Sequence, residues 1–400
     1  MSGAASPPAA ARIGDLERRY LSSIFVELCR IDSPSRAERA CAERVRDELH
    51  AIGLEVSEDD AGAAIGGDCG NLLARIPQRR DGNDGASERP AVLLCAHLDT
   101  VPALAPIDPV LEDGYWENAN DAILGADNKA AIAVLLALAR HLASDGAPLP
   151  VELLFTVGEE IALAGSEAFD TAALTAKRGY VFDHASPIGE LIVESPCHYR
   201  IQASFHGAAA HAGIRPQEGR SAILAASRAV AALPHGLIEG RGTVNVGTIE
   251  GGTAINVVPE HARLLAEVRG LDDPRGEELV ADVIDAIHRA ANDPECDCDV
   301  DVQVQRTFSG YRLASTSEPL RAADAALRVC GYEPARIASG GGSDANTLIA
   351  KGIATVNLAN GTERNHEPGE RVADAALQEM LAVSLALLDE LAALTPSPAL

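Results

Sequence analysis

The sequence predicts an α/β protein with a largely parallel central sheet, split by an inserted ferredoxin-like α+β domain. Three observations support this. Strand-length apolar runs alternate with helical stretches up to about residue 195, the order of a parallel sheet covered by helices. From about Pro196 the order becomes strand, helix, strand, strand, helix, strand, which is that of a ferredoxin-like unit. The 400 residues also exceed what one core usually supports. The expected layout is a flexible tail at 1–12, one domain built from 13–195 and 308–400, and the insert at 196–307.

The elements follow in order. LERRYLSSIFVELCRI and SRAERACAERVRDELHAIG carry helical periodicity on either side of Ser33-Pro34-Ser35, and Ser35 is placed to cap the second helix. Residues 71–76 and 91–96 are expected strands, joined by the polar, turn-rich RRDGNDGASERP. Asp127 is expected to cap the helix DNKAAIAVLLALARHLAS, and strands are expected at 151–157 and 179–183. In the insert, HYRIQASFHG alternates as a strand with one exposed face. GRSAILAASRAVAAL then predicts a helix, TVNVGTIEGG and HARLLAEVRGL two strands, GEELVADVIDAIHRAAN a helix and CDVDVQVQR a strand. A helix, the SGGGSDAN segment, the strand IATVNLANG and an Ala/Leu-rich helix complete the chain.

Aromatic residues make up only 3% of the chain, so packing must rest on Ala, Leu, Val and Ile. The net charge of −26, with no basic patch, argues against a nucleic-acid partner and suits attraction of cations. The eight cysteines show no disulfide or zinc-knuckle spacing, which predicts reduced thiols in a cytoplasmic protein. The N-terminus lacks the basic-then-apolar pattern of a signal peptide, and the apolar stretch 130–139 is too short to span a bilayer, so no membrane partner is expected.

The chemistry lies where apolar runs end. His97 and Asp99 close AVLLCAHLDTV, Asp127 lies in ILGADNKAAIA, Glu159 and Glu160 close VELLFTVGEE, and Asp183 closes GYVFDH; His366 follows in RNHEPGE. An α/β protein places ligands at one sheet edge in this way. A lone His or Glu-Glu pair is ordinary; the specificity lies in the ordered set across separate strand ends. Zinc takes His nitrogen and carboxylate oxygen, and two zincs about 3.5–4 Å apart need a bridge. A bridging Asp127, with His97, Asp183, Glu160 and His366 around it, supplies such a set. Asp99, on the same strand face as His97, can reach the other imidazole nitrogen and orient the ring. Glu159 is then left to take a proton from the water bridged by the metals and pass it to a leaving amine.

HLDTV, GADNKAAIA, GEE followed by AGSE, a strand ending in Asp, GGTAINVVPE and NHEP together resemble the co-catalytic zinc peptidase family. That family includes peptidase T, glutamate carboxypeptidase, aminoacylase and succinyl-diaminopimelate desuccinylase. The resemblance runs from about Phe25 to the C-terminus. GADNKAAIA, GGTAINVVPE and GGSDANTLIAKGIATVNLANG place it nearest the peptidase T-like tripeptide aminopeptidases. It implies one zinc on His97, Asp127 and Asp183, a second on Asp127, Glu160 and His366, Glu159 as general base, and Asp99 supporting His97. Mn or Co are alternative metals. It further implies a homodimer through the inserted lid domain, with His211 reaching the partner's site to steady the oxyanion. Arg269 and Asn256 are implied substrate contacts, and Gly341, Gly342, Ser343, Asp344 and Asn346 a substrate-side loop. His184, TVGEE and NHEPGERV depart from the family's usual surroundings.

Two hydrolase readings follow: a tripeptide aminopeptidase, or a carboxypeptidase or N-acyl amino-acid amidohydrolase on the same metals. The substrate is accordingly a short peptide or an N-acyl amino acid. A non-catalytic metal-binding assembly protein is the reading from another class, and the presence of Glu159 weighs against it.

Overall fold

The computed structural model describes residues 13–79 and 89–394; the tail expected at 1–12 and most of the predicted polar loop lie outside the described residues. The chain divides into two compact units. The second comprises Glu194–Arg312 and Ser339–Gly342, and the first the remaining described residues.

The first unit is built on a sheet ordered Val56–Glu58, Leu72–Ile76, Val151–Thr156, Val92–His97, Arg178–Val181, Ala354–Leu358, Glu190–Ser195. The four strands from Val151–Thr156 to Ala354–Leu358 are mutually parallel. Their flanking strands run antiparallel, so the sheet as a whole is mixed. Val92–His97, Val151–Thr156 and Arg178–Val181 are buried along their whole length, as expected of strands covered on both faces. The helix Ala126–Asp145 is buried from Ala126 to Ala139, which is why its sequence is apolar all round. It packs against the helices Asp15–Cys29 and Asp374–Ala393 and against the sheet.

Two expected caps are corrected. The second helix runs Arg39–Ala51 behind Glu38, and Ser35 instead donates its hydroxyl to the Asp99 carboxylate at 2.7 Å. The helix breaks at Asp127 and Asn128, whose torsions are not helical and which a cis peptide joins, so its continuous part starts after Asn128 and Asp127 does not open it as expected. The Asp127 carboxylate is thus free for other use.

A four-stranded sheet was not expected. It pairs Pro109–Glu112 with Tyr115–Asn118, then Arg371–Ala373, then Thr362–Glu363. It sets the hairpin that contains His366 against the long helix.

In the second unit the main antiparallel order is Asp299–Phe308, Cys197–His206, His261–Gly270, Gly242–Gly251, with Gly236–Ile238 added at the edge. Numbered by sequence, the four long strands lie 4-1-3-2, the ferredoxin-like order. Cys197–His206 alternates, burying Tyr199, Ile201, Ala203 and Phe205 in a core shared with Leu279, Val283 and Ile287 of the helix Asp273–Ala291. That helix starts earlier than its periodicity suggests, because Asp272 accepts the Arg275 N–H at 2.9 Å and Pro274 suits the first turn. Ser221 caps the helix Ala222–Ala232 in the same way.

Candidate active site

Parallel strands deliver their C-terminal ends to one edge of the first unit. His97 ends its strand, while Asp183 and the Glu159–Glu160 pair follow theirs within a few residues. The cross-strand geometry centres on Asp127. His97 Nε2 lies 3.4 Å from Asp127 Oδ1 and 3.6 Å from Asp183 Oδ1. His366 Nε2 lies 3.3 Å from Asp127 Oδ2 and 2.8 Å from Glu160 Oε1. Each Asp127 oxygen therefore faces a different histidine. His97–Asp127–Asp183, Asp127–Glu160–His366 and His97–Glu159–Glu160 each present ligand atoms within 4.8 Å of one another.

The ring of His97 is held by its Nδ1, 2.9 Å from the Asp99 backbone carbonyl and 3.4 Å from its carboxylate. Asp99 thus supports the ring foremost through its main chain. A proton on Nδ1 leaves Nε2 bare toward Asp127 and Asp183. The buried Asp99 carboxylate accepts the backbone N–H groups of Glu159 at 3.0 Å and Glu160 at 3.1 Å. It therefore orients the Glu-Glu turn as well.

The electrostatics are those of a site overfilled with negative charge. Burial pushes the Glu159 carboxyl well above the usual range, helped by the charge of Asp183. Burial likewise raises Glu160 and Asp183. At His97, burial opposes protonation but is outweighed by Asp127, Asp183 and Asp99, which raise it. Asp127 and Glu160 raise His366 to about 10. Asp127 itself is lowered: burial opposes this and His366 and His97 prevail.

This donor set fits a pair of divalent cations. His97 Nε2 and Asp127 Oδ1 are buried with no hydrogen-bond partner. Such orphaned atoms are costly unless a cation meets them. The ligands are imidazole and carboxylate, a combination that zinc, manganese and cobalt accept.

Sequence reasoning missed two supporting residues. Glu370, 1% exposed, accepts the backbone N–H groups of Gly125 and Asp127, each at 2.8 Å. Its only signal was a carboxylate four residues after His366. Asn357, in the strand Ala354–Leu358, accepts the Asp183 N–H at 3.0 Å and donates to the Asp183 carbonyl at 2.8 Å. An Asn inside an apolar strand was the signal there.

The expected substrate residues divide between the units. Ser343 and Asn346 form a capping box on the helix Asp344–Ala350 and are buried, so their polar groups are engaged in the cap. Asp344 is buried, accepts the Thr156 hydroxyl, and is raised by burial to about 6. In the second unit, a Cβ at Gly342 would lie 2.5 Å from the tip of the Phe308 ring, so any larger residue there must displace that ring. The Arg269 guanidinium bonds both Glu267 oxygens at 3.3 Å and the Gly340 carbonyl at 3.0 Å. His211 and Asn256 sit together on a small ladder: Ala210–His211 pairs with Val257–Val258, and the Asn256 carbonyl accepts the Ala212 N–H at 3.0 Å. Both are exposed. His184 lies 3.9 Å from Glu190 and belongs to none of these clusters of ligand atoms.

A model of the peptidase dimerisation domain of the M20 family matches residues 197–295, and one of peptidase family M28 matches 71–184. The aminopeptidase PepT structure from Bacillus cereus is 34% identical, with a TM-score of 0.84, covering 95% of this chain and 100% of that one. The chain belongs to the M20 metallopeptidase family, near peptidase T. A tripeptidase structure from Staphylococcus aureus is 30% identical, with a TM-score of 0.86, covering 94% of this chain and 98% of that one. The Bacillus subtilis protein YqjE is 33% identical over 377 residues, 94% of this M20 chain and 99% of the relative. As an M20 member the protein is a hydrolytic peptidase. Among the described residues, no helix is long and apolar enough to cross a membrane.

Proposed function

We propose that the protein is a two-metal aminopeptidase that removes the N-terminal residue from short peptides, tripeptides foremost. The observation that carries this is Asp127, whose two oxygens face His97 and His366 at 3.4 and 3.3 Å. His97, Asp127 and Asp183 would hold one divalent cation, and Asp127, Glu160 and His366 the other. Zinc is the proposed pair, with Mn or Co able to replace it. When bound, the metals supply Lewis-acid polarisation and lower the pKa of water.

The chain's own residues do the rest. Glu159 is not one of these five proposed ligands, so its carboxylate takes a proton from the attacking water and returns it to the leaving amine. Asp99 fixes both the His97 ring and the peptide that carries Glu159. Arg269 and Asn256 are proposed to bind substrate, and His211 to donate to the oxyanion in the site of a second protomer. The matched dimerisation domain supports a homodimer. All eight cysteines are free thiols, which supports a reducing, cytoplasmic setting.

The test is mass spectrometry of products from the metal-loaded protein given a free tripeptide, its N-acetyl form and its C-amide. Release of the N-terminal residue, with the acetylated peptide untouched, supports the proposal. Loss of the acetyl group or of the C-terminal residue assigns the protein instead to the amidohydrolase or carboxypeptidase branch.

A further inference from the structure

A fourth group of ligand atoms shares no residue with the strand-end site. Glu38, Asp68 and Cys69 each offer one atom within 4.8 Å of the others. Glu38 is fully buried; its Oε1 accepts the Gly158 N–H at 2.9 Å, while Oε2 has no partner. Cys69 is 2% exposed. Asp68 is exposed, and its Oδ1 accepts the Arg39 N–H at 3.0 Å. An unpaired carboxylate oxygen in the interior is costly; burial raises the Glu38 carboxyl, and a proton or a cation relieves that cost. A thiolate among carboxylates selects zinc or cobalt over the hard cations magnesium and calcium.

We propose that Glu38, Asp68 and Cys69 form a third divalent-cation site, of zinc type, separate from the strand-end pair. The cation enters past the exposed Asp68. Binding forms the metal–sulfur bond and releases the Cys69 thiol proton to solvent. The site reaches the catalytic turn through one bond, because Glu38 holds Gly158 beside Glu159.

The experiment titrates the metal-free, full-length protein with cobalt(II). A cobalt–thiolate bond gives a near-ultraviolet charge-transfer band that histidine and carboxylate ligands do not. The expected result is such a band in the wild type. C69S should lose the band and one equivalent of bound cobalt while keeping cobalt-supported peptide hydrolysis. D68N should weaken the titration of the band about tenfold or more. Should C69S fail to fold, D68N, altered at an exposed side chain, carries the test. No band at saturating cobalt, a band that survives in C69S, or a D68N titration identical to wild type would overturn the proposal. Failure of the aminopeptidase reading looks different: no peptide cleavage, with the band present or absent.

Discussion

Replacing Glu370 by Gln should weaken metal binding far more than it weakens the fold. The wild-type carboxylate accepts the Gly125 and Asp127 N–H groups at 2.8 Å each, and so sets the backbone of the bridging ligand. An amide keeps one acceptor and turns an NH2 toward the other N–H, which strands a buried donor at a cost of about 1–3 kcal/mol. Against this, burial raises the Glu370 carboxyl from 4.5 to about 7. The folded state thus binds that proton more tightly, and stability falls as pH rises from 4.5 to 7. Ionisation then costs about 3 kcal/mol at neutral pH, which Gln avoids. The two effects nearly cancel, so E370Q should lie within about 2 kcal/mol of wild type, with a flatter pH profile in the metal-free protein. Misplacing Asp127 should still cost about 10–100-fold in metal affinity. Urea unfolding gives the first quantity and chelator competition the second. Wild-type metal affinity in a folded E370Q would refute the positioning argument.

Glu159→Gln should leave metal content unchanged and lower kcat about 10²–10⁴-fold, measured by metal analysis beside peptide kinetics. Leu135→Ala removes a fully buried side chain from the long helix and should cost about 2–5 kcal/mol in urea unfolding. Glu58 is held down to about 2, first by Arg39, with Gly70 and Arg46 helping. That lowered carboxylate stabilises the fold above pH 4.5, and the contribution is lost as pH falls toward 2. Allowing for solvent screening it amounts to about 1 kcal/mol, and acid titration of E58Q should show a correspondingly shallower loss.

Much of the site was legible because strand ends announce themselves. An apolar run that stops at His97, Glu159 or Asp183 marks both the element and the edge at which its ligand stands. The ferredoxin-like insert was legible because Cys197–His206 alternates cleanly between buried and less buried residues. What stayed hidden depends on contacts remote in sequence. The short strands Tyr115–Asn118, with no buried residue, and Arg371–Ala373, with only Val372 buried, pair across more than 250 residues. The cap expected at Asp127 failed because its torsions are extended and its oxygens face His97 and His366, contacts that local periodicity does not register. Ser343 and Asn346, placed in a substrate-side loop by the resemblance, also form a capping box, which periodicity alone did not mark.

The central claim is that Asp127 bridges two metals at the ends of the parallel strands. Anomalous X-ray diffraction from zinc-loaded crystals tests it most directly. The account predicts two peaks about 3.5–4 Å apart on either side of the Asp127 carboxylate, one beside His97 and one beside His366. A single peak there, or zinc bound elsewhere with Asp127 unligated, would contradict it.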